Sequence, residues 1–103
     1  MASIKIFWTK TAINQRNYVF EYWNDRNKST SYSKKLNKKI KERVNHLKSH
    51  PEIGKKTNYK NHRSISLGHY SIIYLREEDK IYITSFWDNR KDPINLVKYL
   101  KKK

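Results

Sequence analysis

Near its C-terminal end the chain carries the stretch FWDNRKDP, residues 86–93, which sets Arg90 between Asp88 and Asp92. A second arginine, Arg63, stands near the start of HRSISL, residues 62–67. A guanidinium presents a rigid fork of N–H donors that matches the oxygens of a phosphate, so two such groups facing one point would suit a phosphodiester. Arg90 also has a purely local reading, an ion pair with Asp88 or Asp92 that pins the chain where the last element begins. Such an exposed pair contributes about 0–1 kcal/mol. His46 and His50 lie four residues apart, a spacing at which two imidazoles on one helix face can share a metal. There is no HExxH pattern and no evident third ligand, so no metal is expected; histidines in a last helical turn serve as partners of the helix dipole. No local signature of a Ser/His/Asp triad is present.

These side chains must be positioned by the elements around them. Residues 3–8, SIKIFW, place Ile4, Ile6 and Trp8 on one face, which is strand spacing. From Thr11 to about Arg26 the period changes, with Ala12, Val19 and Trp23 on one stripe and Ile13 and Phe20 beside it, as in an amphipathic helix. The polar joint NKSTS offers N-capping hydroxyls. A second helix follows, its inward face formed by Tyr32, Leu36, Ile40, Val44 and Leu47, with Pro51 just past its end and Gly54 in the next loop. The two helices read as an antiparallel hairpin. The chain reads as continuously structured except for residues 52–61 and the terminal lysines.

Three strands come next. His62–Leu67 alternates, with Arg63, Ile65 and Leu67 on one face; Gly68 and His69 form the turn; Tyr70–Leu75 is almost wholly apolar and so central. REEDK, residues 76–80, makes the next turn, and Ile81–Trp87 is the third strand. Asp92 and Pro93 open a last helix with Ile94, Val97 and Leu96 or Leu100 inward. The expected fold is therefore α+β in the order β-α-α-β-β-β-α, a helical hairpin on one face of a small, mostly antiparallel sheet, with residues 1–103 forming one domain. On this layout Arg63 and Arg90 could converge on the uncovered side of the sheet. Trp8 and Trp23 belong to apolar stripes and read as core, while Trp87, at a strand exit beside Asp88 and Arg90, fits either core or site.

Charge narrows the partners. Twenty-four lysines and arginines stand against nine acidic residues, a formal net charge of +15 in 103 residues. Repulsion on that scale works against the compact state, which points to an anionic partner such as nucleic acid, a ribosome surface or an acidic protein. No long apolar run accompanies the charge, so no membrane partner is expected. Cysteine is absent, which removes disulfides and thiolate metal sites. The start, MASIKIFW, lacks the features of a secretory signal, and a cytoplasmic location is the expectation.

Taken in order, WTKTAINQRNYVFEYW, YSKKLNKKIKERVNHLKSHPEIGKK, HRSISLGHYSIIY and ITSFWDNRKDP resemble the RelE/ParE superfamily of toxins from bacterial type II toxin–antitoxin modules, over nearly the whole chain. The resemblance implies a toxin that arrests growth and is neutralised by a cognate antitoxin. RelE-like members cut messenger RNA in the ribosomal A site; ParE-like members poison DNA gyrase and are not nucleases. Under the RelE-like reading no cofactor is required. Arg63 and Arg90 would stabilise the charged phosphorane, His62 and His69 would move protons, and Tyr70, Tyr74 and Trp87 would stack a splayed base. Lys34, Lys35, Lys38, Lys39 and Lys41 would then meet ribosomal RNA phosphates. Where RelE-like nucleases carry an arginine after the tyrosine of the middle hairpin strand, this chain has Ser71. Its long first helix and Asp-x-Arg-x-Asp-Pro ending are closer to ParE-like members. Net charge inclines this reading toward messenger RNA cleavage, with gyrase poisoning as the alternative and a non-enzymatic nucleic-acid-binding domain as a third possibility.

Overall fold

The computed structural model describes residues 3–91. The element order is β1 (Lys5–Trp8), α1 (Lys10–Asn27), α2 (Ser31–Ser49), β2 (Lys55–Lys56), β3 (His62–Leu67), β4 (Tyr70–Glu77) and β5 (Lys80–Asp88). The strands form one sheet in the order β1-β5-β4-β3-β2. Every pairing is antiparallel except β1 with β5, where Lys5 faces Lys80 and Trp8 faces Ile83. The α+β architecture expected from the sequence is present. The expected last helix, opened by Asp92 and Pro93, lies outside the described residues.

Local chemistry explains the boundaries. Thr9 sits extended between β1 and α1; its hydroxyl accepts from the Ala12 N–H at 3.2 Å and donates to the Ile83 carbonyl at 3.1 Å. One side chain thus caps the helix and ties it to the central sheet. Lys28 ends α1 in the left-handed region, its N–H on the Asn24 carbonyl. At the start of α2 the Ser29 hydroxyl accepts from the Ser31 N–H at 3.1 Å, while Thr30 makes no side-chain cap. Gly68 turns β3 into β4 at a φ of +63°, a conformation in which a Cβ would be strained.

Both helices lie on one face of the sheet. Leu36, Ile40 and Leu47 of α2 and Ala12 of α1 pack on Leu67, Tyr70, Ile72, Tyr74, Ile81, Ile83 and Phe86, with Ile4, Ile6, Trp8, Val19, Phe20, Val44 and Ile65 at the margin. On the other face Ile73 and Trp87 form a smaller buried cluster with Tyr59.

Three expectations need correction. Residues 52–61 are ordered: β2 pairs with β3, the Thr57 hydroxyl bridges the Tyr59 and His62 carbonyls, and Tyr59 packs on the second cluster. Tyr32 is exposed, because its ring leans on Trp23 of α1 at 4.8 Å and does not turn inward. The REEDK turn is shorter than expected, since Arg76 and Glu77 continue β4 and Lys80 opens β5; Glu78, in the left-handed region, makes the reversal.

The β4–β5 ladder shifts register between Ile73 and Tyr74, leaving Thr84 as the extra residue. Past Ile83, where the pairing of β1 with β5 stops, Gln15 of α1 takes over on that side of β5. Its side-chain oxygen accepts from the Phe86 N–H at 3.0 Å and from the Ser85 hydroxyl at 2.9 Å, so the helix supplies a partner where the first strand has ended.

Candidate functional site

At the end of the sheet where β3 begins, Arg63 faces Tyr74 across the ladder. The Arg63 guanidinium donates from Nη1 to the carbonyls of Glu52 at 3.2 Å and Gly54 at 2.8 Å. The Tyr74 hydroxyl donates to the Pro51 carbonyl at 3.0 Å and accepts from the Gly54 N–H at 2.9 Å. Together they clasp the loop that leaves α2. Gly54 is required by close approach: a Cβ there would lie 2.8 Å from the Tyr74 ring and hydroxyl and 3.1 Å from the Arg63 Cβ. Burial pushes the Tyr74 hydroxyl above its ordinary pKa.

Beside this clasp lies a cleft of about 450 Å³ lined by Lys56, Thr57, Asn61, His62, Arg63 and Arg76 together with Glu52 and Glu78. His62 is buried, its Nδ1 lying 2.7 Å from the Lys60 carbonyl, which can only accept. Arg76 pairs with Glu52 at 3.7 Å and donates to the Glu78 carbonyl at 2.8 Å. The cleft can hold an anion against Lys56 and the unused donors of two guanidiniums. Lys56 and Arg76 were missed in the sequence, and only strand register reveals them: Lys56 faces Arg63 from β2, and Arg76 stands two residues past Tyr74 on β4. The signal available was a cluster of basic residues on either side of the hairpin.

His69 and Arg90 occupy the opposite end of the sheet. Asp88 grips Arg90 through three contacts: the Arg90 backbone N–H at 2.9 Å, Nε at 2.9 Å and Nη2 at 2.8 Å. The local ion pair read from the sequence is formed with Asp88. Arg90's hydrogen bond holds the Asp88 carboxyl below the usual carboxylate range, and the same contact raises Arg90 further above an already high value. The Asn89 N–H donates to the His69 carbonyl at 2.8 Å, and the Ser71 hydroxyl to the Asn89 side chain at 2.8 Å.

The expected convergence of Arg63 and Arg90 does not occur. Antiparallel pairing sets Arg63 opposite Tyr74, whereas Arg90 follows Asp88, which faces Tyr70. Four residues of β4 separate those levels, about 13 Å along the strands, and two strand spacings of about 4.8 Å lie between β3 and β5. The four candidate catalytic residues thus fall into two groups, His62 with Arg63 and His69 with Arg90.

The three aromatic residues assigned to base stacking are buried. Tyr70 is stacked on Phe86 at 5.1 Å and accepts from Trp23 Nε1 at 2.9 Å; Tyr74 is fully enclosed; Trp87 is in the second cluster. Burial also raises the Tyr70 hydroxyl above its usual pKa. Their rings serve the core and offer no open face to a base. Lys34, Lys35, Lys38, Lys39 and Lys41, by contrast, all stand exposed on α2. His46 and His50 stack at 4.6 Å, and the described residues bring no third ligand to them.

Among solved structures, the chain is similar to a chromosomal ParDE toxin–antitoxin system from P. aeruginosa, with a TM-score of 0.70 at 16% identity, covering 82% of this chain and 94% of that one. That likeness agrees with the fold described above. No curated protein matches the sequence. A family model described as the ParE toxin of the type II toxin–antitoxin system, parDE, matches residues 6–93, nearly all of the sheet and helices described, and the chain therefore belongs to the ParE toxin family.

Proposed function

We propose that this ParE-family toxin arrests bacterial growth by poisoning DNA gyrase and not by cutting messenger RNA. The observation that carries the reading is the separation of Arg63 from Arg90. Metal-free RNA cleavage needs groups gathered on one phosphate to activate the 2′-hydroxyl, stabilise the phosphorane and protonate the leaving oxygen. Here one guanidinium is engaged by the 52–54 loop carbonyls and the other by Asp88, at opposite ends of the sheet. The family assignment supports the same reading, because ParE-like members act on gyrase. A toxin of a parDE module pairs with a cognate antitoxin, and this chain is expected to be neutralised by one.

The net charge and the cleft holding Lys56, Arg63 and Arg76 favour a second reading, cleavage of messages on the ribosome. Inducible expression in a bacterium separates the two. The gyrase reading expects broken DNA and a damage response with messages intact, and it expects Arg90→Ala and Lys56→Ala to remain toxic. New 5′ ends within translated frames, without DNA damage, would overturn it. Among the described residues no helix is long and apolar enough to cross a membrane.

A further inference from the structure

The positive charge is unevenly placed. Over Ser31–Ser49, α2 carries six lysines and one arginine against a single acid, Glu42, whereas α1 carries three cations against two carboxylates. All seven cations of α2 are exposed. Among the described residues the ion pairs are Arg76 with Glu52 and Arg90 with Asp88, and neither involves α2. The face is thus left without internal compensation.

Its geometry is fixed by the core. Leu36, Ile40 and Leu47 point α2 at the sheet, and helical spacing then puts Lys34, Lys38, Lys41 and Lys48 on one outward flank. Lys41 and Lys48 line a groove with Arg16 of α1. Arg16 is held there by its guanidinium, which lies 4.8 Å over the Trp8 ring. From Lys34 to Lys48 the helix rises about 21 Å, a length over which one strand of duplex DNA presents about six phosphates. Lysine is depleted at protein–protein interfaces and common on phosphate backbones, which favours a nucleic acid over an acidic protein as the occupant.

We propose that the Lys34–Lys38–Lys41–Lys48 flank of α2, with Arg16, binds the phosphate backbone of duplex DNA without reading its sequence, and so retains the toxin on the DNA that its target handles. The choice of DNA over RNA rests on the gyrase reading; the binding itself rests on the charge and its placement.

The test titrates the purified chain into a labelled mixed-sequence DNA duplex two helical turns long, at several salt concentrations, with an A-form RNA duplex in parallel. Log affinity for DNA is expected to fall linearly with log salt, with a slope of about −4 for four or five phosphate contacts. A variant combining Lys34→Gln, Lys38→Gln, Lys41→Gln and Lys48→Gln is expected to bind at least about tenfold more weakly at low salt, with a slope shallower by about 3. A control removing equal charge elsewhere, Lys28→Gln with Lys55→Gln, Lys60→Gln and Lys80→Gln, keeps most of the affinity and slope; circular dichroism melts check that both variants fold. Equal losses in the two variants, preference for RNA, or absence of salt-dependent binding would each overturn the proposal. A gyrase cleavage assay on the wild-type chain keeps the two readings apart. Gyrase unaffected while this flank binds DNA refutes the poisoning reading alone; gyrase poisoned while the four-lysine variant binds DNA normally refutes the DNA site alone.

Discussion

Tyr74 shows how one buried hydroxyl serves two elements. It joins the centre of the sheet to the loop after α2 by donating to Pro51 and accepting from Gly54. Tyr74→Phe leaves the Gly54 N–H buried without its acceptor, and a loss of about 1–3 kcal/mol is expected in urea unfolding. Because the Tyr74 pKa is raised in the folded state, the stability it contributes is full below about pH 10 and fades as pH rises through the elevated value. Tyr74→Phe should therefore flatten the alkaline limb of the stability profile. Asp88 has the opposite sign. Its carboxyl is lowered by Arg90, so its contribution is present above about pH 4 and disappears as pH falls through the lowered value. In Asp88→Asn the acid limb below pH ~4 should be shallower, and an unchanged limb would show that the pair does not persist in solution. The Asp88–Arg90 pairing was legible in the sequence, since residues two apart at a strand exit meet without help from the fold. Whether Arg63 lay near Arg90 was not legible, because that depends on which residue of β4 each one faces.

At the scale of elements, the alternation of His62–Leu67 and the four- and three-residue spacing of Leu36, Ile40, Val44 and Leu47 were enough to place β3 and α2. β2 escaped because Lys55 and Lys56 are both exposed, and two exposed lysines carry no periodicity. The bulge at Thr84 escaped for a different reason. In ITSFW every residue suits a strand, and only the pairing with β4 shows that one is extra. Gln15 is a polar residue of α1 turned toward the sheet, where it meets the Phe86 N–H on the side of β5 that β1 no longer covers. Gln15→Ala is expected to cost about 1–3 kcal/mol with an unchanged urea m-value; a loss under a few tenths would mean that water replaces the side chain. Thr9→Ala, which removes both the cap of α1 and its tie to β5, should cost about 0.5–2 kcal/mol.

For the molecule as a whole, the excess of 24 basic over nine acidic residues sets the response to ionic strength. Self-repulsion is screened by salt, so the melting temperature should rise when ionic strength increases from about 0.01 M, where the Debye length is about 30 Å, to 0.15 M, where it is about 8 Å. A flat response would indicate that bound counterions already neutralise the surface. The charge was fully legible in the composition, and its concentration on the outward face of α2 followed from the apolar spacing of Leu36, Ile40, Val44 and Leu47, which sets the rotation of that helix.

The parallel pairing of β1 with β5 has a further consequence during synthesis. Thr9, at the end of β1, bonds to Ile83, 74 positions later. On a translating ribosome the first strand therefore waits, unpaired, until nearly all of the described chain has emerged. A message truncated after Glu77 lacks the strand that β1 needs, and its product is expected to be tolerated by cells that the full chain arrests. The growing chain is in this sense self-limiting, since β1 finds its place only after β5, the last strand among the described residues, has been made.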